Sequence, residues 1–122
     1  MVLPDQPEGL LFGKMMNWLD SHCHINDEAF YEDLDQVLER MVQNDVKKAM
    51  IISSYLKDYE YALKISHDQI AFKYSLGIYP GDVNDVDEEV FASFAKRFED
   101  KECAAIGEIG LDYYWDKDNK ER

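Results

Sequence analysis

Short apolar runs and amphipathic segments alternate along this chain, and that alternation limits the folds it can adopt. Apolar runs at 16–21, 49–52, 71–78 and 103–106 predict four strands. The run at 49–52 is continuous, which is typical of a strand buried on both faces, as in a parallel sheet. Each crossover is long enough for a right-handed βαβ unit. The sequence therefore predicts an α/β fold with a parallel sheet.

Three amphipathic segments between these strands predict helices. The first has apolar residues at helical spacing across 30–42. The second is shorter, with Asp58 as its expected N-cap. The third carries an apolar stripe that ends at Phe98, and Asp85 followed by Glu88 resembles a capping box at its start. Four such strands fit either a small open sheet or the first half of an eight-stranded barrel, which typically has about 250 residues.

Composition limits the partners and the compartment. The 122 residues include 13 basic and 26 acidic side chains, a formal net charge of −13 that disfavours nucleic-acid binding unless metal ions reverse the sign locally. Cys23 and Cys103 lie far apart, which is no disulfide framework and indicates a reducing cytoplasm. No run approaches the roughly 18 apolar residues of a membrane span. We expect a cytoplasmic protein without a membrane partner.

The first 15 residues differ from the rest of the chain. Pro4, Pro7, Gly9 and Gly13 interrupt any regular pattern, and the short apolar stretch among them is too short for a signal-peptide core. We interpret 1–15 as a flexible leader, either non-native or a misassigned start, and 16–122 as the folded unit.

Two histidines at the end of the first predicted strand are candidate metal ligands. Side chains at i and i+2 of a strand leave the same face, so His22 and His24 can converge on one ion. Asp20 points to the same face and is a candidate for orienting an imidazole, although a turn residue at a strand end would look the same. Alone, the pair does not separate a metal site from two surface histidines.

Glu108 follows the fourth predicted strand between Gly107 and Gly110. In a barrel the first and fourth strand ends face the same mouth, which brings Glu108 within reach of an ion at His22 and His24. A carboxylate has two oxygens and can bridge two cations, as in two-metal hydrolases. On composition alone, a solvated loop glutamate is the simpler interpretation.

A family resemblance changes that balance. Three motifs stand in the order and spacing of a known family: Asp20-Ser21-His22-Cys23-His24, Gly77-Ile78-Tyr79-Pro80, and Ala105-Ile106-Gly107-Glu108-Ile109-Gly110-Leu111-Asp112-Tyr113-Tyr114. Together they closely resemble the TatD family of metal-dependent deoxyribonucleases, over roughly 16–122. The glutamate run is the specific part, since the wider amidohydrolase-like superfamily shares the histidine pair.

The resemblance implies a TIM-type barrel with one or two divalent cations, Mg, Mn or Zn, at its C-terminal mouth. In it His22 and His24 bind one metal, and Glu108, the catalytic residue, bridges to the second. The implied reaction is hydrolysis of DNA phosphodiester bonds by a metal-activated water. Asp112, which follows the glutamate run, is a candidate contact to a metal ligand or to substrate, although we favour a turn aspartate.

Two departures from the family pattern matter. The family usually has histidine where this chain has Tyr79, so the substrate contact there rests on a phenol. Relatives also carry two more metal-binding histidines and an aspartate on later strands, and the sequence reaches Arg122 before any of them. We therefore expect the N-terminal half of a barrel, about its first four strands, recorded as a truncated chain.

Two alternatives to the nuclease stay open at this point. One keeps the metal site but hydrolyses an ester or amide, as a D-aminoacyl-tRNA deacylase does. The other is a non-catalytic fragment that self-associates or pairs with a missing C-terminal half. For Tyr113, Tyr114 and Trp115 we favour loop packing over stacking on bases. Cys23 should point away from the histidines, into the core.

Overall fold

The computed structural model describes residues 16–115, in which four strands form one parallel sheet. The strands are β1 (Trp18–Cys23), β2 (Val46–Ser53), β3 (Ala71–Leu76) and β4 (Cys103–Ile106), and they lie side by side in chain order. A doubly wound sheet reverses its strand order at a switch point, whereas a barrel adds each new strand beside the last. The parallel α/β fold is confirmed, and its order is that of the first part of a barrel.

Helices connect the strands where the apolar periodicity predicts them, but the first begins at Leu34, four residues later than predicted, and Phe30 lies in a 3-10 turn. They are α1 (Leu34–Gln43), α2 (Leu56–Ala62) and α3 (Glu88–Arg97), with 3-10 turns at Glu28–Phe30 and Pro80–Asp85. The predicted leader, 1–15, lies outside the described residues. No helix within 16–115 combines the length and apolar character that crossing a membrane requires.

Both predicted helix caps are wrong. Helix α2 begins before Asp58, with Tyr55 as its N-cap residue, so Asp58 lies in the first turn. Asp85 ends the 3-10 turn that precedes α3, and the cap is Asp87, whose Oδ1 accepts a hydrogen bond from the Val90 N–H at 2.8 Å. Asp85 would have to cap the helix in the predicted capping box, but it belongs to the 3-10 turn.

Strand ends also differ from the prediction by a few residues. Pairing with β2 carries β1 on to Cys23, so His22 lies inside the strand and His24 just beyond it. Strand β3 ends at Leu76, two residues early, and this leaves Gly77 and Ile78 in the loop that follows.

The core lies between the three helices and the two central strands. Its buried cluster includes the following side chains: Leu38, Ile51, Tyr59, Ala62, Ile65, Tyr74, Leu76 and Phe94. The edge strands are more open, since Trp18, Leu19 and Ile106 are each more than half exposed. The central strands β2 and β3 are therefore more fully buried than the edge strands β1 and β4.

Candidate metal centre

The three predicted metal ligands come together at the carboxyl end of the sheet. His22 Nε2 lies 3.1 Å from His24 Nε2, and Glu108 Oε2 lies 3.9 Å from His22 Nε2 and 3.7 Å from His24 Nε2. The histidines belong to one edge of the sheet and Glu108 follows the strand at the other. Convergence of side chains from two edge strands fits a sheet that curves like a barrel wall.

The spacing of these donors fits a divalent cation. Nitrogen and oxygen donors bind zinc at about 2.0–2.2 Å, so two donors of one ion lie roughly 3–4 Å apart at ordinary bond angles. The three pairs fall in that range, and all the donor atoms lie within 4.8 Å of one another. The donor set of two imidazole nitrogens and a carboxylate oxygen can therefore hold one ion.

The ligand side chains are open to solvent on one side. His22 is 52% exposed, His24 48% and Glu108 39%. An ion held by three partly exposed ligands keeps coordination positions for water or substrate, as catalytic sites do and closed structural sites do not. The geometry is that of a site where chemistry can take place.

Asp20 fixes the backbone of the site rather than an imidazole. Its Oδ1 accepts a hydrogen bond from the His22 backbone N–H at 3.0 Å. The side chain therefore holds the β1 backbone at the first ligand. Of the two interpretations of Asp20, this hydrogen bond favours the local backbone role.

Cys23 lies between the two histidines in sequence but takes no part in the ligand trio. Its Sγ donates to the Met50 carbonyl at 3.3 Å, and the side chain packs against the core. Burial, with a smaller effect of the Asp20 charge, raises the pKa of the thiol to about 11. A thiol that stays protonated at neutral pH is a poor metal ligand, which agrees with a packing role.

Buried polar residues that the sequence analysis missed support the site. Asn26 is 3% exposed, and its Nδ2 donates to the Ile52 carbonyl at 3.2 Å and to Ser53 Oγ at 3.0 Å, which ties the loop after His24 to the end of β2. Ser75, 2% exposed, donates to the Gly107 carbonyl beside Glu108. Only Ser53 directly follows a predicted strand, whereas Asn26 lies in the loop after the histidines and Ser75 lies inside the third predicted strand, so the sequence pattern does not mark them.

Tyr79 also lies at the carboxyl end of the sheet, on the loop that follows β3. Its ring is 42% exposed and packs against Gly81. The neighbouring Tyr55 donates its hydroxyl to Asp82 Oδ2 at 2.5 Å, and this hydrogen bond raises the pKa of Tyr55. Two phenol rings thus stand on adjacent loops near the strand ends, and only Tyr79 was predicted.

Asp112 shapes the loop after Glu108. Its Oδ1 accepts hydrogen bonds from the backbone N–H groups of Tyr114 at 3.0 Å and Trp115 at 2.8 Å, the pattern of an aspartate turn. The aromatic residues beside it are exposed, Tyr113 by 56%, Tyr114 by 73% and Trp115 by 80%. Tyr114 and Trp115 nevertheless contact each other edge to face, with ring centroids 4.6 Å apart, so packing within this loop stays a prediction.

Comparisons with known proteins found similarity to metal-dependent hydrolases. The family model described as TatD related DNase matches residues 19–122. An uncharacterized metal-dependent hydrolase of Bacillus subtilis, YabD, is 30% identical over 84% of this chain and 40% of its own length. The Escherichia coli protein YcfH, with the same description, is 31% identical over 85% of this chain and 40% of its own length.

One further relative carries a more specific name. A putative deoxyribonuclease of Danio rerio, tatdn3, is 30% identical over 79% of this chain and 39% of its own length. The chain therefore spans about two fifths of the length of the curated relatives it matches. The matched part includes the strands and loops that carry His22, His24 and Glu108.

Proposed function

The chain belongs to the family of TatD-related DNases, and from that premise we propose that it carries the first part of a metal-dependent active site that hydrolyses DNA phosphodiester bonds. The supporting observation is the convergence of His22, His24 and Glu108 at distances suited to one ion. The relatives named above are described as metal-dependent hydrolases, and one as a putative deoxyribonuclease.

Each residue has a distinct role in this proposal. His22 and His24 would hold a first divalent cation, Mg, Mn or Zn, together with Glu108. Glu108 would also be the residue to bridge to a second cation, because a carboxylate has two oxygens. Divalent cations, when bound, activate water and neutralise phosphate oxygens. Their positive charge would offset the repulsion between a phosphate and a protein whose net charge is −13.

Tyr79 and Asp112 are proposed to act on the substrate side. The half-exposed Tyr79 phenol can donate a hydrogen bond to a phosphate oxygen where the family usually has histidine. A direct substrate contact by Asp112 stays a prediction, and the two backbone bonds that its Oδ1 accepts support a role in shaping the loop after Glu108. The free cysteines Cys23 and Cys103 support the proposed cytoplasmic location.

The test is a Mn²⁺ titration of the 122-residue chain by calorimetry, compared with Glu108→Gln. We expect the substitution to weaken binding by about 10- to 100-fold, because it replaces an anionic ligand by a neutral amide. Glu102→Gln is the matched control, since it makes the same change in an exposed residue just before β4 and should bind like wild type. Equal binding by Glu108→Gln and wild type would contradict the metal site.

The second arm assigns the reaction. Wild type with Mn²⁺ is incubated with a labelled DNA oligonucleotide, and in parallel with a D-aminoacyl-tRNA. Cleavage of DNA that is lost in Glu108→Gln supports the nuclease. Deacylation without DNA cleavage would assign the ester hydrolase instead, and metal binding with neither reaction would assign a non-catalytic metal-binding unit.

A further inference from the structure

Glu108 lies in a region whose own strand gives it little support. It is two residues past the end of β4, a four-residue strand at the edge of the sheet. Residues 104–106 are exposed, and so are Ile109 and Leu111 beyond it. A carboxylate on such a segment needs an anchor from elsewhere to stay aimed at two histidines on the opposite edge strand.

The end of β3 provides that anchor through contacts with Gly107 and Glu108. The Gly107 N–H donates to the Leu76 carbonyl at 3.0 Å, and Ser75 Oγ donates to the Gly107 carbonyl at 3.2 Å. Gly77 lies close to the peptide that joins Gly107 to Glu108. A Cβ added to Gly77 would stand 2.5 Å from the Gly107 carbonyl carbon and 2.8 Å from the Glu108 nitrogen. The peptides on both sides of Gly107 are thus bonded to β3, the first through the Gly107 N–H and the second through the Gly107 carbonyl.

The anchor itself is buried and is bonded to the neighbouring strand. Ser75 is 2% exposed and Leu76 is fully buried, and the Gly77 N–H donates to the Ser53 carbonyl of β2 at 3.1 Å. The bonds therefore run from the central strand β2 through β3 to the glutamate. Metal sites require donor positions accurate to roughly 0.2 Å, a precision that an exposed edge segment needs help to reach.

We propose that Ser75 and Gly77 are positioning residues that set Glu108 against His22 and His24. Ser75 acts through its hydroxyl, which holds the Gly107 carbonyl and so the direction in which the Glu108 Cα leaves the peptide. Gly77 acts through the absence of a side chain, which lets the two backbones approach. This inference rests on the proposed metal centre and extends it to residues that touch neither metal nor substrate.

The experiment is the Mn²⁺ titration of the 122-residue chain applied to Ser75→Ala, with the thermal midpoint Tm measured on the same samples. We expect about a 10- to 100-fold loss of affinity, the range seen when the partner that orients a metal ligand is removed. Ile52→Val is the control, because Ile52 pairs with Ser75 in the sheet and is buried, and the substitution removes a methyl group while keeping the backbone carbonyl that accepts from Asn26. It should lower the Tm and keep the wild-type affinity.

A second pair of variants tests the steric part. Gly77→Ala should weaken Mn²⁺ binding by at least the same factor, whereas Gly107→Ala should not, because a Cβ on Gly107 meets nothing within 4 Å. Gly107, the neighbour of Glu108 in sequence, is thus expected to tolerate an added Cβ, whereas Gly77, which is distant in sequence, is not. If Gly77→Ala fails to fold, the Ser75→Ala and Ile52→Val comparison decides alone.

The outcomes separate this inference from the function it rests on. Wild-type affinity in Ser75→Ala, or an equal loss of affinity in Ile52→Val, overturns the positioning role while the metal centre stands. Wild-type affinity in Glu108→Gln overturns the metal centre itself. A loss in Ser75→Ala and Glu108→Gln, with Ile52→Val unaffected, supports both.

Discussion

The Tyr74 hydroxyl lies buried on β3 and donates to the Ile65 carbonyl at 3.0 Å, which ties the strand to the segment after α2. Burial is the main cause that raises the pKa of Tyr74, and the charge of Glu102 adds to it. Burial likewise raises the pKa of Tyr59, a fully buried residue of α2. At each position the folded state accommodates the neutral phenol and resists the phenolate.

We expect the free energy of unfolding to fall as the pH rises above about 10, where unfolded tyrosines lose their protons. Folding raises both pKa values, so above that pH the unfolded state binds fewer protons than the folded state, and stability decreases with pH. Below it the contribution is fully present. Urea unfolding followed by circular dichroism, at about pH 8 and about pH 10.5, measures this difference.

Tyr74→Phe identifies the group responsible. It should cost about 1 kcal/mol at the lower pH through the lost hydrogen bond, and show a smaller further loss at the higher pH. Tyr31→Phe changes an exposed tyrosine and should reproduce the wild-type difference. The interpretation is wrong if Tyr74→Phe and wild type lose equal stability between the two pH values.

Some residues of the site could be identified from the sequence and others could not. His22, His24 and Glu108 stood out because their side chains bear metal-binding chemistry within recognisable motifs, and the structure places them together. Asn26 and Ser75 did not, because their importance comes from hydrogen bonds to distant backbone carbonyls. Such contacts depend on which strand ends become neighbours, and no local pattern records that.

Among the elements, α3 shows why the type of a segment was easier to predict than its ends. Its apolar stripe fixed a helix, but Asp85 and Asp87 both precede it as possible caps. Asp87 has an extended backbone, with φ −91° and ψ 178°, which directs its carboxylate to the free N–H of Val90. Asp85 is taken up by the 3-10 turn. The choice depends on backbone angles that the residue type does not determine.

Removing the cap should destabilise the protein and removing its neighbour should not. Asp87→Ala is expected to cost about 1 kcal/mol of the free energy of unfolding, the usual value of an N-cap carboxylate. Asp85→Ala removes the same charge two residues earlier, and should change it by less than about 0.5 kcal/mol. Urea denaturation of both variants measures the difference. A larger loss in Asp85→Ala would restore the capping box expected from sequence.

For the whole molecule, the parallel α/β class followed from the sequence, whereas the order of the strands in the sheet and its curvature did not. The alternation of apolar runs and helices left an open sheet and a part of a barrel equally possible. The sheet positions His22 and Glu108 close together although they belong to opposite edges. That proximity depends on the twist and coiling of all four strands, which no single strand encodes.

The open edges of this sheet affect how the chain behaves in solution. Within residues 16–115, β1 pairs only with β2 and β4 only with β3, so each offers one edge of backbone N–H and C=O groups. Trp18, Leu19 and Ile106 expose apolar surface on those strands. Exposed edges and apolar surface favour association, while a net charge of −13 opposes it by repulsion.

We therefore predict that the 122-residue chain self-associates, and more strongly in high salt. Raising the salt from about 0.01 M to about 1 M shortens the Debye length from about 30 Å to about 3 Å, which removes the repulsion and leaves the apolar edges unaffected. Sedimentation velocity at both salt concentrations measures the mass distribution. A monomer at both, with a sharp thermal transition, would contradict the prediction.

Two variants locate the contact. Leu19→Lys places a charge on the β1 edge and should shift the chain toward monomer in high salt, because a charged edge strand resists pairing with another edge. Phe91→Lys makes the same change in charge on α3, at a residue that is 56% exposed against 59% for Leu19, and leaves the edges intact. If both variants dissociate the chain equally, the β1 edge has no special role in association, and the apolar surface on the helical side contributes as much.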